Sequence, residues 1–232
     1  MWEPGEPLAV LDDLTPLALH RGNVDAGSQA RLLDYLTNVT ARLPLPETTL
    51  PLFLHLHVEV PRDRNILHGY PLEPFLAALF GGRWFDGYRF SLVVGTKGTG
   101  PASRLTIGRA SESSARTKSD GLRSTPRSAP GSPEWIEELR VGIARKASIP
   151  LPEGPVHLTL HLRCPPKLNW ISLWKPAVDA LGPLLGYDRS GDPHSPRSDL
   201  LTRVEFHRQT AEDLGNSVEL QYAWRPVPQN SS

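Results

Sequence analysis

The chain has 232 residues, and its 25 Lys plus Arg balance 25 Asp plus Glu, so the formal net charge is zero. This balance argues against a polybasic coat protein or a long acidic tail. If the chain binds nucleic acid, it must do so through a local cluster of positive charge. Cys164 is the single cysteine, which excludes an intramolecular disulfide and a cysteine-cluster zinc site. We see neither a signal-peptide pattern nor an apolar run near the roughly 18 residues of a membrane span. We therefore expect a cytoplasmic protein with no membrane partner.

The first part of the chain predicts a helix that ends at a proline and is followed by a strand. Apolar residues recur at helical spacing from Gly27-Ser28 to the tetrapeptide Pro44-Leu45-Pro46-Glu47, which cannot continue a helix. Strict alternation then predicts a strand over 52–60 that ends at Pro61. The later predicted elements are a helical stretch over 71–80 and strands over 90–94 and 103–107. The glycine-rich run 95–100 lacks the spacing of a phosphate-binding loop and favours a hairpin connection.

The second part repeats this order of elements. A helix opens at Gly131-Ser132 and runs into Pro150-Leu151-Pro152-Glu153, and an alternating strand over 156–164 ends at Pro165. The later predicted elements are a helical stretch over 176–185 and strands over 201–206 and 217–222. Each half therefore reads helix, strand, helix, strand, strand. Two similar halves can pack about a pseudo-two-fold axis within one chain. The alternative is two unrelated layers of one α+β domain that share turn chemistry.

These repeats predict the domain organisation. We expect an α/β (α+β) fold built from two halves, at 27–108 and 131–224, that form an intramolecular pseudo-dimer. Residues 1–26 form an N-terminal extension, and 225–232 a disordered tail. Between the halves, 109–130 is rich in Ser and Arg and has few large apolar residues, so it predicts a flexible linker.

One segment of the second half carries a family resemblance. Residues 169–181 read Asn-Trp-Ile-Ser-Leu-Trp-Lys-Pro-Ala-Val-Asp-Ala-Leu. The segment resembles the signature of the RusA-like Holliday-junction resolvases, Asp-x-Asp-Asn-Leu-x-Lys and then Asp-Ala-Leu. Lys175 and Asp179 match it, whereas Asn169 and Ile171 stand where the family has acids. Asp199 occupies the place of an acid in the family's later Asp-Asp-Ser-Gln turn.

The first half also resembles this signature, but it keeps different residues of it. Pro71-Leu72-Glu73-Pro74-Phe75-Leu76 keeps one carboxylate, that of Glu73, and Ala77 falls where the lysine would be. Asp86 is similar to the acid of the later turn. RusA-like proteins are dimers that bind four-way DNA junctions and cut them with Mg²⁺ held by clustered aspartates. Neither half keeps the full set, so the resemblance implies the fold more strongly than the activity.

The resemblance implies a degenerate site and a nucleic-acid partner. The candidate catalytic residues are Glu73, Asp86, Lys175, Asp179 and Asp199. Of these, Glu73, Asp86 and Asp199 are the candidate metal ligands. Mg²⁺ is the expected cofactor only if cleavage survives, because it needs hard oxygen ligands in near-octahedral geometry. We expect binding of branched or duplex DNA with cleavage weakened or lost. The alternatives are a catalytically dead module that binds a protein partner, and an active nuclease whose composite site pools both halves.

Each candidate also has a structural interpretation. Lys175 can stack or extend along the surface beside its neighbouring tryptophans. Asp179 can lie on the solvent face of its helix, and Asp86 and Asp199 can be ordinary turn residues. Glu73 can favour the first helical turn through its charge.

Histidines on two strands raise a further question. His55 and His57 share one strand face, where they could hold a metal or simply line a polar outer face. His161 stands at the place equivalent to His57, so symmetric halves would bring these two to matching positions.

Overall fold

The protein has a mixed α+β fold with one eight-stranded sheet. The structure, a computed structural model, describes residues 1–16, 26–43 (backbone only for 26–29), 47–68, 70–80, 90–100, 102–113, 122–146, 154–188 and 195–227. The strands are β1 (Trp2–Leu11), β2 (Leu52–Val60), β3 (Phe90–Thr99), β4 (Arg104–Glu112), β5 (Leu122–Ser124), β6 (Val156–Cys164), β7 (Leu201–Thr210) and β8 (Glu219–Pro226). The helices are α1 (Ala26–Arg42), α2 (Leu72–Phe80), α3 (Pro133–Lys146), α4 (Trp174–Asp179) and α5 (Gly182–Leu185).

The sheet has the same strand arrangement when followed inward from either edge. Its order is β1-β4-β2-β3-β7-β6-β8-β5. In both halves the first two pairings from the edge are antiparallel and the third is parallel, and β3 and β7 meet antiparallel at the centre. The sheet is therefore continuous across both halves.

The two parallel pairings share an irregularity at the same place. In both, the register shifts after the first residue pair, so that one residue of the later strand is left out of the pairing. The flanking pairs are Leu52 with Phe90 and Phe53 with Leu92 in the first half, and Val156 with Leu201 and His157 with Arg203 in the second. The halves therefore match in local pairing geometry as well as in strand order.

The helices that the structure describes pack on one face of the sheet. The inward residues of β2 and β6, which sequence alternation identified, join the helices in one large apolar core. At the centre of this face, Trp174 of α4 stacks on Phe206 of β7 with ring centroids 4.6 Å apart, and Phe80 of α2 meets Trp174 edge-on at 5.2 Å. Packing of α2 against α4 therefore joins the two halves.

Gly95 lets α2 approach the sheet closely. A Cβ atom at this position would lie 3.0 Å from Leu76 Cδ1 and 3.0 Å from Val204 Cγ2.

Predicted strands 52–60 and 156–164 are confirmed, but the interpretation of 95–100 as a hairpin loop is wrong for 95–99. Those residues continue β3, because they pair with β2 as far as Val60.

The predicted helical stretch over 176–185 is broken into shorter pieces. A 3-10 turn at Trp170–Leu173 leads directly into α4, and α5 begins separately at Gly182. Pro183 lies in the first turn of α5, where its missing N–H costs nothing, so it starts a helix instead of continuing one. The ring of Tyr187 would lie 2.1 Å from a Cβ at position 182, so glycine is required there.

The predicted extension and linker contain strands. Within 1–26, β1 pairs with β4 and adds an edge to the sheet. Within 109–130, residues 109–112 belong to β4 and 122–124 to β5, where backbone pairing with β1 and β8 orders them; 114–121 lie outside the described residues. Likewise β8 continues to Pro226, past the predicted boundary at 224, and 228–232 lie outside the described residues.

Candidate functional site

Four of the five predicted site residues come from different elements to one place on the helix side of the β3–β7 junction. Glu73 lies in the first turn of α2, Lys175 and Asp179 lie on α4, and Asp199 lies in the 3-10 turn Ser198–Leu200 before β7. Charge interactions link Glu73 to both Lys175 and Asp179. Asp86 lies outside the described residues.

A residue that sequence reasoning missed lies at the centre of this cluster. Lys97 of β3 is 5% exposed, and its ammonium donates hydrogen bonds to the carbonyl oxygens of Tyr70 at 2.8 Å and Asp199 at 2.5 Å. Burial lowers the pKa of Lys97 from 10.5 to about 8, although the charges of Asp199 and Glu73 act to raise it. Its inward place in the alternating pattern of β3 could have identified it, had 95–100 not been interpreted as a loop.

Glu73 is buried, and its carboxylate forms no hydrogen bond of full geometry with the described residues. It is 4% exposed, and no described residue meets hydrogen-bond geometry at either carboxylate oxygen. Burial raises the pKa of this carboxyl, and its own backbone N–H, the Lys175 ammonium and the Ser198 hydroxyl only partly offset that effect. Glu73 lies in the first turn of α2, as the interpretation through helix charge requires, but burial disfavours its charged form.

The α4 residues form an ion pair one helical turn apart. Lys175 bonds to the carboxylate of Asp179, whose side chain is only 4% exposed. The structural interpretation of Asp179 as a solvent-facing residue is therefore wrong. The pairing also occupies the Lys175 ammonium, which is partly exposed.

Asp199 is the most accessible carboxylate of the group. Its side chain is 27% exposed, and His68 Nδ1 lies 3.7 Å from its Oδ2. Its backbone carbonyl, not its carboxylate, receives the Lys97 hydrogen bond.

The donor set does not fit Mg²⁺ as it stands. Two ammonium groups, those of Lys97 and Lys175, lie among the carboxylates, and burial favours the protonated form of Glu73. Among the residues that the structure describes, no group of three or more His, Cys, Asp or Glu side chains is arranged to hold a metal ion. We therefore derive no step through a metal at this site.

The opposite face of the sheet, on which none of the described helices packs, carries the histidines; we call it the histidine face. His55 Nε2 and His57 Nδ1 both approach the hydroxyl oxygen of Thr96, at 2.9 and 3.0 Å. Thr96 on β3 and His207 on β7 hold equivalent register positions, and His161 stacks on His207 with centroids 4.5 Å apart. His57 and His161 therefore occupy matching places, and the polar-face interpretation of the histidines holds.

The carboxylate of Glu205 lies among these histidines at the centre of the sheet. Glu205 is bonded by Arg203 Nε at 2.5 Å, and His207 Nε2 lies 3.4 Å from its other oxygen. Burial acts to raise the pKa of Glu205, but the His207 and Arg203 interactions outweigh it and lower the pKa to about 2. Burial also lowers the pKa of His55 and of His161 to about 4, so both are neutral near pH 7.

The start of β1 closes over one end of this face. Trp2 Nε1 donates to the Arg208 carbonyl at 2.8 Å, and the indole packs against a small apolar cluster of Phe53, Leu92, Val94 and Ala110. Beside Trp2 lies a cavity of about 370 Å³ that is also lined by Arg163 and Glu219. These two residues are paired with each other across it, 3.3 Å apart.

Comparison with known proteins does not assign the chain to a family. Neither protein-family models nor curated protein sequences gave a match. In the described part of the chain, every helix is too short or too polar to cross a membrane.

Proposed function

We propose that the chain binds structured or branched DNA as a RusA-like tandem pseudo-dimer whose metal-dependent cleavage is weakened or lost. The observation that carries this proposal is the sheet, whose strand order, strand directions and register shifts repeat about the β3–β7 pairing. A fused pair of similar halves offers two matching surfaces at a fixed spacing, as a two-fold dimer does. Four-way junctions present arms that are themselves related by two-fold symmetry.

The charges at the helix-side cluster favour binding over cutting. Hydrolysis by clustered carboxylates needs them ionised and free to hold cations that stabilise the attacking and leaving oxygens. Here Asp179 is held by Lys175, and burial disfavours the ionised form of Glu73. This arrangement supports the loss of cleavage that the incomplete acidic motifs predict.

The histidine face of the sheet offers cationic groups to a phosphate backbone. Its arginines come from five strands: Arg104, Arg123, Arg163, Arg203 and Arg225. Most are paired with acids at the protein surface, and such exposed pairs are weak enough for phosphates to compete with the acids. Binding through them would be salt-dependent.

The test is a fluorescence-anisotropy titration with a four-way junction and a duplex of matched sequence, in EDTA or Mg²⁺, over a salt series. We expect tighter binding to the junction, a loss of affinity with salt, and no strand cutting. Substituting Arg104 and Arg225 together by Ala should weaken binding and reduce the salt dependence by about one to two released ions. Substituting Arg145 and Lys146, exposed on the last turn of α3, is the matched control. Absence of binding at low salt would reject the proposal.

A composite nuclease is the second candidate, because carboxylates from both halves approach one site. Under this hypothesis the junction is cut in Mg²⁺ or Mn²⁺, and Glu73→Gln and Asp199→Asn each abolish cutting without weakening binding. Cutting that survives both substitutions would reject these assignments.

A protein-binding module lacks comparable support, since the exposed large apolar side chains of the described residues are distributed over separate parts of the chain: Leu8, Val10, Leu33, Leu50, Val141 and Tyr187.

A further inference from the structure

The surroundings of Lys97 resemble those of a bound cation more than those of a surface lysine. The ammonium is buried, and it points at two backbone carbonyl oxygens that come from different halves of the chain, those of Tyr70 and Asp199. The carboxylates of Glu73 and Asp199 are near enough for their charges to act on it. Carbonyl and carboxylate oxygens are the ligands that hard divalent cations take in proteins.

Glu73 supplies an independent observation that this place is built for a cation. A carboxylate that is 4% exposed, and for which the Ser198 hydroxyl and its own backbone N–H only partly offset the effect of burial, is costly to bury. Nearby positive charge reduces that cost, and Lys97 and Lys175 are the ammonium groups that act there.

We propose that the Lys97 ammonium is the built-in cation of this site, held among Glu73 and the carbonyl oxygens of Tyr70 and Asp199 in place of a divalent metal ion. A lysine in this position supplies one positive charge at pH values below its pKa of about 8, and this charge does not depend on solution metal. It also repels a second cation, because a unit charge and an ion about 4 Å apart interact strongly inside a protein. The negative charge of the site is then balanced without a metal ion. This charge balance therefore does not depend on any nuclease chemistry.

Removing Lys97 should therefore convert the cluster into a metal site. Lys97→Ala leaves the oxygens in place and opens the space that the ammonium filled. We expect Mn²⁺ to bind the variant at least about ten-fold more tightly than the wild-type chain. The measurement is the loss of the free-Mn²⁺ electron paramagnetic resonance signal during titration of the full chain without DNA.

Three controls separate this outcome from general loosening of the fold. Lys97→Arg keeps the charge and should show no gain. Lys97→Ala combined with Glu73→Gln removes an oxygen ligand and should lose the gain. Lys146→Ala, on the exposed last turn of α3, removes a lysine elsewhere and should behave as wild type.

The wild-type chain provides a second test, which does not depend on the folding of Lys97→Ala. We expect the wild-type chain to show no saturable Mn²⁺ binding at this site. Saturable binding to the wild-type chain that the substitution Glu73→Gln weakens would overturn the proposal. A folded Lys97→Ala chain that gains no Mn²⁺ affinity would overturn it too, as would one that stays unfolded even with Mn²⁺ present, whereas folding rescued by Mn²⁺ would support it. Since no DNA is involved, failure here is distinguishable from failure of the DNA-binding proposal.

Discussion

Val94 of β3 and Glu205 of β7 are paired directly across the centre of the sheet. The flanking pairs, Leu92 with His207 and Thr96 with Arg203, lie at equal distances along the strands on either side of them. The position about which the strand order repeats is thus occupied by an apolar residue from one half and a carboxylate from the other. The halves differ in sequence at their closest approach, while the pairing geometry is shared.

Glu205 should stabilise the protein in a pH-dependent way. Interactions with His207 and Arg203 outweigh burial and lower its pKa from 4.5 to about 2. Its contribution is therefore complete above pH 4.5 and is lost as the pH falls from 4.5 toward 2. We expect Glu205→Gln to lower the free energy of unfolding by about 1–3 kcal/mol at pH 7, measured by urea denaturation. Glu59→Gln, at an exposed position of β2, is the control, and an equal loss there would contradict the assignment.

The neutral histidines should make stability fall in a different pH window. Burial lowers the pKa of His55 and of His161 from 6.5 to about 4. The unfolded chain therefore takes up protons between pH 6.5 and 4 that the folded chain does not, so stability falls as the pH drops through that window. We expect a loss of about 1–2 kcal/mol per histidine between pH 7 and pH 5.

The double substitution His55→Gln and His161→Gln should flatten this pH profile, measured by urea denaturation at a series of pH values. Val141→Ala, at an exposed position of α3, serves as the control, since it removes no titratable group and should leave the slope unchanged. A profile equally steep in the double variant would reject the role of the two histidines.

Gly108 should tolerate no side chain. A Cβ atom there would lie 2.4 Å from the carbonyl oxygen of Glu6 and 2.4 Å from Phe53 Cε1, so the β1–β4 pairing and the Phe53 ring leave no space. We expect Gly108→Ala to destabilise the fold by about 1–3 kcal/mol, read from the thermal unfolding midpoint. Gly98→Ala is the matched control in β3, because its nearest neighbour would be His57 Cε1 at 3.4 Å. Similar losses in both variants would contradict this account.

The contact between Phe80 and Trp174 should couple the two halves energetically. Their rings meet edge-on between α2 and α4, and Trp174 also stacks on Phe206. A double-mutant cycle with Phe80→Leu and Trp174→Leu should give a coupling energy of about 0.5–1.5 kcal/mol. The control cycle pairs Phe80→Leu with Val141→Ala, an exposed position on α3, and should give additive effects. Additivity in the first cycle would show that this contact does not couple the halves.

Local sequence patterns predicted the helices and strands that form because of interactions between neighbouring residues. The strands over 52–60 and 156–164 follow from alternation and from the prolines that end them, and α1 and α3 follow from helical spacing. The pattern failed at 95–100, where glycines suggested a turn. There, pairing of β3 with β2 outweighed the glycine preference and placed Lys97 inside the fold.

The candidate site was only partly predictable for a related reason. Family resemblance selected Glu73, Lys175, Asp179 and Asp199, but it gave no information on how far apart they lie or which lysine neutralises which acid. Those relations depend on α2 and α4 meeting over the β3–β7 junction, a contact between residues distant in the chain.

By itself the sequence determined the periodic elements and their repetition in two halves, because hydrophobic alternation and proline stops act over a few neighbouring residues. Only the tertiary structure decided that β3 and β7 join these halves into one sheet, that the N-terminal segment adds β1, and that Lys97 lies among the acids. Each of these depends on long-range pairing and burial, whose energies are set by residues far apart along the chain.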